Sequence, residues 1–368
     1  MAERSALRVG LLGAGQLGRM LALAGYPLDV RCLLLDPTAD SPGSHVAEQI
    51  VAEYTDPAAL ARLAECDVVS YEFENVPASA AAWLAERVPV YPPPAALEVA
   101  RDRLHEKTRF RDLGIPTARF KSAESAQELE HALSELGVPA LIKTRTLGYD
   151  GKGQLLLRDA PNAQAIWGRF RGVPLIVEEY VAFQRELSLI AVRSTRGDVA
   201  FYPLVQNEHR DGILHLSQAP APNTEGGLQH TAEDYASRLL ASLDYAGVLA
   251  LELFEVNGAL LANEMAPRVH NSGHWTIEGA EVSQFENHLR AILGLPLGST
   301  AARGYPAMLN LIGNLPDRER VLAVPGAHLH LYGKAARAGR KLGHVTLSCN
   351  TAEQRCERVD ALLRMLSP

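Results

Sequence analysis

The sequence predicts a mixed α/β protein with a parallel, Rossmann-like N-terminal domain, a central α+β domain and a small C-terminal domain. Two observations carry this prediction. In the N-terminal quarter of the chain, short apolar runs alternate with helical patterns, which favours a parallel sheet. Beyond the segment Tyr91-Pro92-Pro93-Pro94, apolar runs mostly follow one another through loops, which favours antiparallel pairing. The chain has 368 residues, and we predict domains over residues 1–95, 96–297 and 298–368.

The N-terminal elements follow from apolar runs that end in polar or glycine-rich segments. Leu7–Leu12 is a predicted buried strand, because it is short, apolar and bounded by glycines. A helical pattern covers Leu17–Ala24, and further strands are predicted over Cys32–Leu35 and Asp67–Ser70. The prolines after Tyr91 cannot continue a helix or a central strand, so we place the first domain boundary there.

The central and C-terminal elements follow from the same signals. Asn-Gly between two apolar runs is the strongest short hairpin signal, and it occurs here at Asn257-Gly258. The predicted helices cover Ala100–Leu113, Ala126–Glu135 and Ala232–Leu243. The predicted strands cover Ala140–Lys143, Gln154–Leu157, Leu175–Glu179, Leu187–Val192, Ala200–Leu204, Val248–Val256, Ala259–Glu264, Met308–Ile312 and His328–Tyr332.

Composition and charge exclude several classes of protein. Hydrophobic residues make up 47% of the chain and the formal net charge is −7, which indicates a globular protein and argues against nucleic-acid or anionic-membrane partners. No stretch approaches the ~20 apolar residues that a membrane span needs. Arg8 and Gln16 interrupt the N-terminal apolar run, so it is not a signal peptide, and we expect a cytoplasmic protein. The cysteines lack metal-ligand spacing and are predicted to be reduced thiols: Cys32, Cys66, Cys349 and Cys356.

The first glycine loop has three interpretations. Gly13-x-Gly15-x-x-Gly18 follows a strand, and Asp36 lies where a dinucleotide-binding fold places its ribose-binding acid. This pattern allows an NAD-dependent oxidoreductase. A glycine turn before a helix N-terminus also suits any other anion, such as a substrate phosphate. The third interpretation is a tight turn without a ligand.

The second glycine loop lies between two predicted strands. Lys143 ends the first strand and the segment Gly148–Gln154 follows, which is not the Walker A pattern. Its glycines allow the backbone to close over phosphates, and Lys143 supplies a positive charge. An ordinary hairpin turn is the alternative. The run Leu175–Val181 suits an adenine-binding edge with a ribose-binding carboxylate, or equally an acidic strand end in water.

Two glutamates flank the Asn257-Gly258 turn. Glu252 and Glu264 have the chemistry that Mg²⁺ prefers, although two unrelated strand glutamates are the alternative. A strict two-residue turn would place Glu252 opposite Asn263, with Glu264 facing the other way. If both carboxylates bind one metal, the hairpin needs an irregularity such as a one-residue bulge, which we predict.

A polar segment, Asn263–Trp275, follows the hairpin. Loops that leave rigid strands concentrate chemistry, and Arg268 offers a guanidinium fork for a carboxylate or phosphate. His270 and His274 have a spacing that binds zinc on a helix, but the nearby glycine and proline argue against a helix and no third ligand is evident. A basic segment, Lys334–Lys341, is either a phosphate pocket or a solvated loop.

Taken together, these motifs resemble the N5-carboxyaminoimidazole ribonucleotide synthetase family. The resemblance extends over nearly the whole chain, and the string Asn263–Thr276 is its most specific part. The other matching segments are Gly15–Met20, Tyr71–Val76, Gly148–Gln154, Phe201–Leu204 and Gly339–His344. The resemblance implies an ATP-grasp fold, in which ATP lies between the two halves of the central domain. It also implies a homodimer.

The resemblance implies a carbon–nitrogen ligase of purine biosynthesis. Bicarbonate carboxylates 5-aminoimidazole ribonucleotide at the expense of ATP, and the products are N5-carboxyaminoimidazole ribonucleotide, ADP and phosphate. The implied cofactors are ATP and two Mg²⁺ ions, the latter held by Glu252 and Glu264. Many ATP-grasp enzymes have an asparagine two residues after the second metal glutamate, where this chain has Ala266, so water or Asn271 would supply the third metal contact.

The resemblance also assigns site residues. Arg268, His270 and Lys143 are the expected catalytic residues. The expected ATP contacts are Arg103, Lys143, Gly148, Tyr149, Asp150, Gly151, Lys152, Gly153, Gln154, Glu178, Glu179, Tyr180, Val181, Glu186, His209, Asn263 and Glu264. The expected ribonucleotide contacts are Gln16, Glu74, Tyr149, Asp150, Arg268, His270, Asn271, Ser272, Lys334, Arg340 and Lys341.

Three other functions remain open at this point. Another ATP-grasp carboxylate–amine ligase, such as a formate-dependent glycinamide ribonucleotide transformylase, shares the nucleotide motifs. An NAD-dependent oxidoreductase accounts for the first glycine loop and leaves the acidic hairpin unexplained. A nucleotide-binding regulator would bind ATP without bicarbonate-dependent turnover.

Overall fold

The structure is a computed structural model that describes residues 6–148, 153–159, 162–224 and 227–366. The N-terminal region contains a parallel sheet with the order β3-β2-β1-β4, which confirms the predicted parallel α/β arrangement. Its strands are β1 (Leu7–Leu12), β2 (Val30–Asp36), β3 (Glu48–Val51) and β4 (Val68–Tyr71). Its helices are α1 (Gln16–Gly25), α2 (Pro57–Leu63) and α3 (Ala78–Ala85). Strand β2 pairs with one edge of β1, and β4 pairs with its other edge. The direction of strand order therefore reverses at β1, and a crevice opens at the carboxyl ends of β1 and β4.

Two short helices, α4 (Pro94–Arg101) and α5 (Arg103–Asp112), connect this sheet to the rest of the chain. The prediction of one helix over Ala100–Leu113 is wrong. Asp102 has an extended backbone and separates the two helices, and its side chain accepts a hydrogen bond from the backbone N–H of Leu104 at 2.9 Å. The same carboxylate pairs with Arg145 at 2.5 Å, so a contact distant in sequence stabilises the break.

A small antiparallel sheet follows, with the order β5-β8-β6-β7. Its strands are β5 (Phe120–Ala123), β6 (Ala140–Thr144), β7 (Gln154–Leu157) and β8 (Leu175–Glu179). Two helices, α6 (Ala126–Leu136) and α7 (Ala163–Arg169), pack together and share one apolar cluster with the sheet. The predicted antiparallel pairing is confirmed, although β5 was not foreseen because only Ala123 of its four residues is buried.

The large sheet has nine strands, in the order β14-β13-β9-β11-β12-β15-β17-β16, with β10 paired to β9. The strands are β9 (Arg185–Arg193), β10 (Val199–Phe201), β11 (Val205–Arg210), β12 (Ile213–Gln218), β13 (Gly247–Val256), β14 (Ala259–Ala266), β15 (Ala307–Ile312), β16 (Ala327–Leu331) and β17 (Lys341–Leu347). The helices around it are α8 (Leu228–Ser242), α9 (Thr276–Gly279), α10 (Gln284–Ile292), α11 (Arg318–Leu322) and α12 (Ala352–Leu366). The pairing of β12 with β15 makes the C-terminal strands part of the central sheet.

Several strand predictions in this sheet need correction. The predicted strand Ala200–Leu204 ends at Phe201, because Pro203 has no N–H for a sheet ladder. The polar strand β11 was not predicted, since its side chains do not alternate between apolar and polar. Strands β12 and β17 were not predicted either. The positions of the domain boundaries stay predictions.

A buried histidine joins the N-terminal sheet to the large sheet. The ring of His288, on α10, bonds to the Ser70 hydroxyl at 2.9 Å and accepts from the Val248 N–H at 3.1 Å. Burial lowers the pKa of His288 to about 4, so the ring is neutral near neutral pH. Among the described residues, no helix has the length and apolar character needed to cross a membrane.

Candidate active site

A cleft of about 800 Å³ lies where the N-terminal sheet, the small sheet and the large sheet meet. Most of the described residues that the sequence predicts as site residues line this cleft. They are Gln16, Glu74, Arg103, Lys143, Gly148, Gln154, Glu186, His209, Glu252, Asn263, Glu264, Arg268, His270, Asn271, Lys334, Arg340 and Lys341. Segments that are far apart in the sequence therefore converge on one space.

Some predicted site residues do not line the cleft. Ser272 is 1% exposed and lies beneath His270, so its side chain is not placed to contact a ribonucleotide. Glu178 is buried behind Lys143, and Glu179 forms a surface ion pair with Arg119. Gly153, Tyr180 and Val181 are also absent from the cleft lining. The predicted contacts Tyr149, Asp150, Gly151 and Lys152 lie outside the described residues.

The floor beneath Lys143 is a buried charge cluster. The Lys143 ammonium donates to the Glu178 carboxylate at 3.0 Å, and Lys107 approaches the same oxygen at 3.5 Å. Burial alone would raise the pKa of Glu178, but the two ammonium groups lower it to about 2. Glu178 therefore stays ionised and fixes the position of Lys143 at the cleft wall.

Two phenylalanines form an apolar wall of the cleft. The rings of Phe183 and Phe254 stack with centroids 4.5 Å apart and an interplanar angle of 3°. Both line the cleft, and Phe183 keeps 40% of its surface exposed. The sequence offered no signal for this wall, because the two residues lie on separate segments.

The acidic hairpin contains the predicted irregularity. The register between β13 and β14 pairs Leu253 with Ala262 but Glu252 with Glu264, so Asn263 is an extra residue in β14. Both carboxylates therefore lie at one position of the ladder, and both line the cleft. Burial, and then the charge of Glu264, raise the pKa of Glu252 to about 8.

A third carboxylate, Glu106 of α5, lies beside this hairpin and was missed by sequence reasoning. It accepts from the Met265 backbone N–H at 2.6 Å, and burial together with Glu264 raises its pKa to about 8. Its spacing of three residues from Arg103 places both on one helical face, and that spacing is the signal that was available. Three carboxyl groups thus crowd one region of the cleft.

This crowding fits a bound cation. Among the described residues, no group of three or more His, Cys, Asp or Glu side chains forms a metal site by itself. Glu252 and Glu264 match the usual mode of Mg²⁺ binding, in which one or two carboxylates act together with water and substrate phosphate oxygens. The buried Asn263 side-chain oxygen beside them has no hydrogen-bond partner within the described structure.

The hydrogen bonds around His270 define the proton positions on its ring. The Ser272 backbone N–H points to Nδ1 at 3.4 Å, and the Ser272 hydroxyl lies 2.9 Å from the same nitrogen. Nδ1 is therefore an acceptor, and the proton lies on Nε2, which faces Glu252 at 3.3 Å. Burial lowers the pKa of His270 well below its usual value, so the ring is neutral.

A buried network supports this arrangement. The Ser217 hydroxyl donates to the Asn207 side-chain oxygen at 2.7 Å, and the Asn207 amide donates to Ser188 at 2.9 Å. Ser188 then donates to the Ser272 hydroxyl at 2.8 Å. The direction of these bonds leaves the Ser272 proton to be donated to His270.

Arg268 joins the large sheet to the N-terminal region. Its guanidinium pairs with Glu74 at 2.5 Å and donates to the Val269 carbonyl at 3.0 Å. The remaining Nε atom is buried and has no hydrogen-bond partner in the described part of the chain. Arg268 therefore retains a donor at the cleft.

One end of the cleft is basic. Lys334 donates to the side-chain oxygen of Gln16, the first residue of α1. Arg340 and Lys341 line the same end. The backbone reverses at Gly339, which has φ +71° and so favours glycine. The predicted basic segment thus lies at the cleft, where the positive charge of Lys341 also acts on Glu252.

Comparison with known proteins identifies the family. Residues 6–101 match the ribonucleotide synthetase preATP-grasp domain, residues 108–285 the ATP-grasp domain, and residues 306–358 the phosphoribosylaminoimidazole carboxylase C-terminal domain. The N5-carboxyaminoimidazole ribonucleotide synthase of Pseudomonas aeruginosa is 54% identical over 361 residues, covering 97% of this chain and 99% of that protein. This chain belongs to the N5-carboxyaminoimidazole ribonucleotide synthase family.

Solved structures of family members have the same fold as this chain. The synthetase from Thermus thermophilus matches with a TM-score of 0.94 and 55% identity, covering 98% of this chain and 99% of that chain. The Aspergillus clavatus synthase, solved with ADP and 5-aminoimidazole ribonucleotide, matches with a TM-score of 0.91 and 32% identity, covering 98% of this chain and 99% of that one. The predicted ATP-grasp fold and the ATP-dependent carbon–nitrogen ligase class are confirmed, and the oxidoreductase alternative is wrong.

Proposed function

We propose that this synthase-family chain carboxylates 5-aminoimidazole ribonucleotide with bicarbonate and MgATP, forming N5-carboxyaminoimidazole ribonucleotide, ADP and phosphate. The bulged hairpin is the observation that carries the proposal. It brings Glu252 and Glu264 to one cleft position, beside Lys143 and Arg268. On this proposal the nucleotide, bicarbonate and the ribonucleotide phosphate would bind in one cleft.

The nucleotide is proposed to lie between the small sheet and the acidic hairpin. Lys143, fixed by Glu178, would contact phosphate oxygens, and so would Arg103, whose guanidinium lies 3.9 Å from the Glu264 carboxylate. Glu186 accepts from the His209 ring at 2.7 Å; burial opposes a charge on that ring, but Glu186 raises the pKa of His209. Of the two, Glu186 is the better placed to accept ribose hydroxyl bonds, because Glu178 is occupied by lysines.

Two Mg²⁺ ions are proposed to bind at Glu252 and Glu264, where they would neutralise the charge that develops on the transferring phosphoryl group. Binding there would also relieve the repulsion between the hairpin carboxylates. Asn271 already exchanges amide hydrogen bonds with Asn310 at 3.1 and 2.8 Å. Water or phosphate oxygens are therefore the better candidates for the remaining metal contacts.

Arg268 and His270 are proposed to act on bicarbonate. A bicarbonate oxygen attacks the γ-phosphorus, the bond from that phosphorus to ADP breaks, and carboxyphosphate forms. The positive charge of Arg268 would hold the carboxylate, and the Nε2–H of neutral His270 would donate a hydrogen bond to it. The exocyclic amine of the ribonucleotide then attacks the carboxyl carbon, phosphate leaves, and the amine loses a proton.

The ribonucleotide is proposed to lie toward the basic end. Its phosphate would meet Lys334, Arg340 and Lys341, while Gln16 and Glu74 would contact the rest of the molecule. This orientation points the amine toward Arg268 and His270. It also separates the ribonucleotide phosphate from the triphosphate of ATP, which avoids repulsion between the two anions.

Phosphate release from MgATP tests the proposal, measured with and without 5-aminoimidazole ribonucleotide at controlled bicarbonate. We expect release to require the ribonucleotide and to be lost in Glu264→Gln. The matched control is Glu281→Gln, which removes an exposed carboxylate and should keep activity. Turnover that ignores the ribonucleotide would indicate a different acceptor, and absence of turnover with every acceptor would indicate a binding protein.

We also propose that the protein is a cytoplasmic homodimer without nucleic-acid or membrane partners. The net charge of −7 supports the absence of polyanionic partners. Light scattering coupled to size-exclusion chromatography checks the dimer, and a monomeric mass at working concentrations would contradict it.

A further inference from the structure

The carboxylate of Glu72 occupies the first glycine loop. Glu72 follows β4 directly, is 8% exposed, and reaches into the turn between β1 and α1. The Gly18 N–H donates to its Oε2 at 2.6 Å, and the Gly15 N–H donates to its Oε1. These are N–H groups at the N-terminus of α1, which a nucleotide phosphate occupies in dinucleotide-binding folds.

The glycines of the fingerprint make room for this side chain. A Cβ atom added at Gly15 would lie 2.6 Å from Glu72 Oε1, and one at Gly18 would lie 3.2 Å from the Gly13 carbonyl oxygen and 3.3 Å from Glu72 Oε2. A Cβ at Gly13 would collide with the Glu72 side chain too. In this chain the Glu72 carboxylate therefore fills the space that the three glycines leave, and Gly13 also has a φ of +111° that favours glycine.

The acid of the fingerprint is also occupied internally. Asp36 accepts from the Ala14 N–H at 3.1 Å, from the Thr38 N–H at 2.8 Å and from the Tyr54 hydroxyl at 2.9 Å. Both parts of the fingerprint that would bind a dinucleotide thus have protein partners. The loop is built as a closed structural unit.

We propose that Glu72 is an internal anion that takes the phosphate position of the glycine loop and positions Gln16 at the ribonucleotide end of the cleft. Glu72 acts through the backbone of α1 and is a positioning residue. The effect of Glu72 on ribonucleotide binding rests on the proposed function.

The connection from Glu72 to the cleft is short. Gln16 lies between the two N–H groups that Glu72 holds, and its side-chain oxygen accepts from Lys334. Burial raises the pKa of Glu72, while the Gly18 and Gly15 N–H groups and the positive charge of Lys334 favour its ionised form. Removing Glu72 leaves two buried N–H groups without an acceptor and releases the start of α1. The expected result is a displaced Gln16 and a weakened ribonucleotide site.

The first test asks whether the loop is an anion site that Glu72 fills. Glu72→Ala leaves a small space lined by backbone N–H groups, and formate is the probe because it carries the deleted carboxylate. We expect formate to raise the melting temperature of Glu72→Ala, but not of the wild-type protein or of Glu65→Ala, which removes an exposed glutamate from the same domain. An equal response of all three proteins to formate overturns the proposal.

The second test asks whether Glu72 positions the ribonucleotide site. We expect Glu72→Ala to raise the KM for the ribonucleotide by at least about tenfold, with the KM for ATP little changed, and formate to restore the lower value. If that variant does not fold, Glu72→Gln keeps the size of the side chain, and the same selective rise in KM is expected without formate rescue. Parallel changes in both KM values, or none in either, overturn the positioning role.

The two proposals fail in different ways. If the wild-type protein shows no ribonucleotide-dependent phosphate release, the proposed function fails, and the formate-dependent melting still decides whether Glu72 fills the loop. If the wild-type protein turns over normally and Glu72→Ala melts without any formate response, the Glu72 proposal alone fails.

Discussion

Buried carboxylates in two regions of the molecule have opposite kinds of neighbour. Glu72, in the glycine loop, has two backbone N–H donors and a nearby ammonium group. Glu252, in the acidic hairpin, faces Glu264, and Glu106 lies beside the same pair. The first region supplies its own positive partners. In the second, burial and the neighbouring carboxylate outweigh the positive charges nearby and raise the pKa of Glu252. A carboxylate of the first kind supports the structure, and a group of the second kind requires a ligand cation.

Replacing Glu252 gives the largest expected effect and separates activity from stability. We expect Glu252→Gln to lower kcat by about 10³-fold, because charge stabilisation at the phosphoryl group is lost. The same change should raise the free energy of unfolding near neutral pH. The pKa of Glu252 rises on folding from 4.5 to about 8, so the wild-type protein loses stability as the pH increases between those values. Phosphate release measures kcat, and chemical denaturation at pH 5 and pH 8 measures the free energy of unfolding.

The matched comparison is Glu72→Gln, which should lower the free energy of unfolding. Glu72 accepts two backbone hydrogen bonds, and an amide offers only one acceptor atom in that place. If Glu252→Gln and Glu72→Gln both destabilise the protein, the contrast between the two regions is incorrect.

Glu178 extends the comparison to a carboxylate with two lysine partners. We expect Glu178→Gln to reduce the free energy of unfolding by about 3 kcal/mol, because Lys107 and Lys143 remain buried without a counter-charge. Glu179→Gln is the control, since its surface ion pair contributes little. Urea denaturation of both variants makes the measurement, and equal losses would contradict the buried-cluster interpretation.

His288 predicts an acid-dependent loss of stability at the joint between the sheets. Its pKa falls on folding from 6.5 to about 4, so the unfolded chain binds the proton more readily in that window. The contribution of His288 to the free energy of unfolding is therefore complete above pH 6.5, and it decreases by about 3 kcal/mol as the pH falls to 4. In His288→Gln the slope of unfolding free energy against pH should become shallower; an unchanged slope would assign the acid sensitivity to other histidines.

The sequence predicts parts of the site whose geometry is local. Asn257-Gly258 predicts the hairpin, and the alternation of side chains predicts the bulge that aligns Glu252 with Glu264. These predictions succeed because they depend on two adjacent strands. The interruption at Asp102 was missed, since the Arg145 contact that stabilises it involves a residue far along the chain.

Contacts between distant segments explain the other omissions. Glu106 binds an N–H group 159 residues away, so its spacing from Arg103 places it on one helical face but does not connect it to the acidic hairpin. The first glycine loop shows the opposite problem. Its motif is complete, but the carboxylate of Glu72, which lies 54 residues after Gly18, occupies the position that the motif offers to a ligand. Only the three-dimensional arrangement distinguishes the two uses of the motif.

The smallest expected effect concerns the network beneath His270, where no charge is involved. We expect Asn207→Ala to lower kcat by about tenfold while the KM for ATP stays near the wild-type value. The change breaks the bonds from Ser217 and to Ser188, so Ser272 no longer has a fixed donor direction toward His270.

Nitrogen-15 NMR of labelled histidine, assigned with His270→Asn, should show a single Nε2-protonated form in the wild-type protein and a mixture in the variant. Asn350→Ala, at an exposed position, is the control. A lower kcat with an unchanged tautomer would mean that Asn207 acts through packing, and that hydrogen-bond direction contributes less at this end of the cleft than charge does at the hairpin.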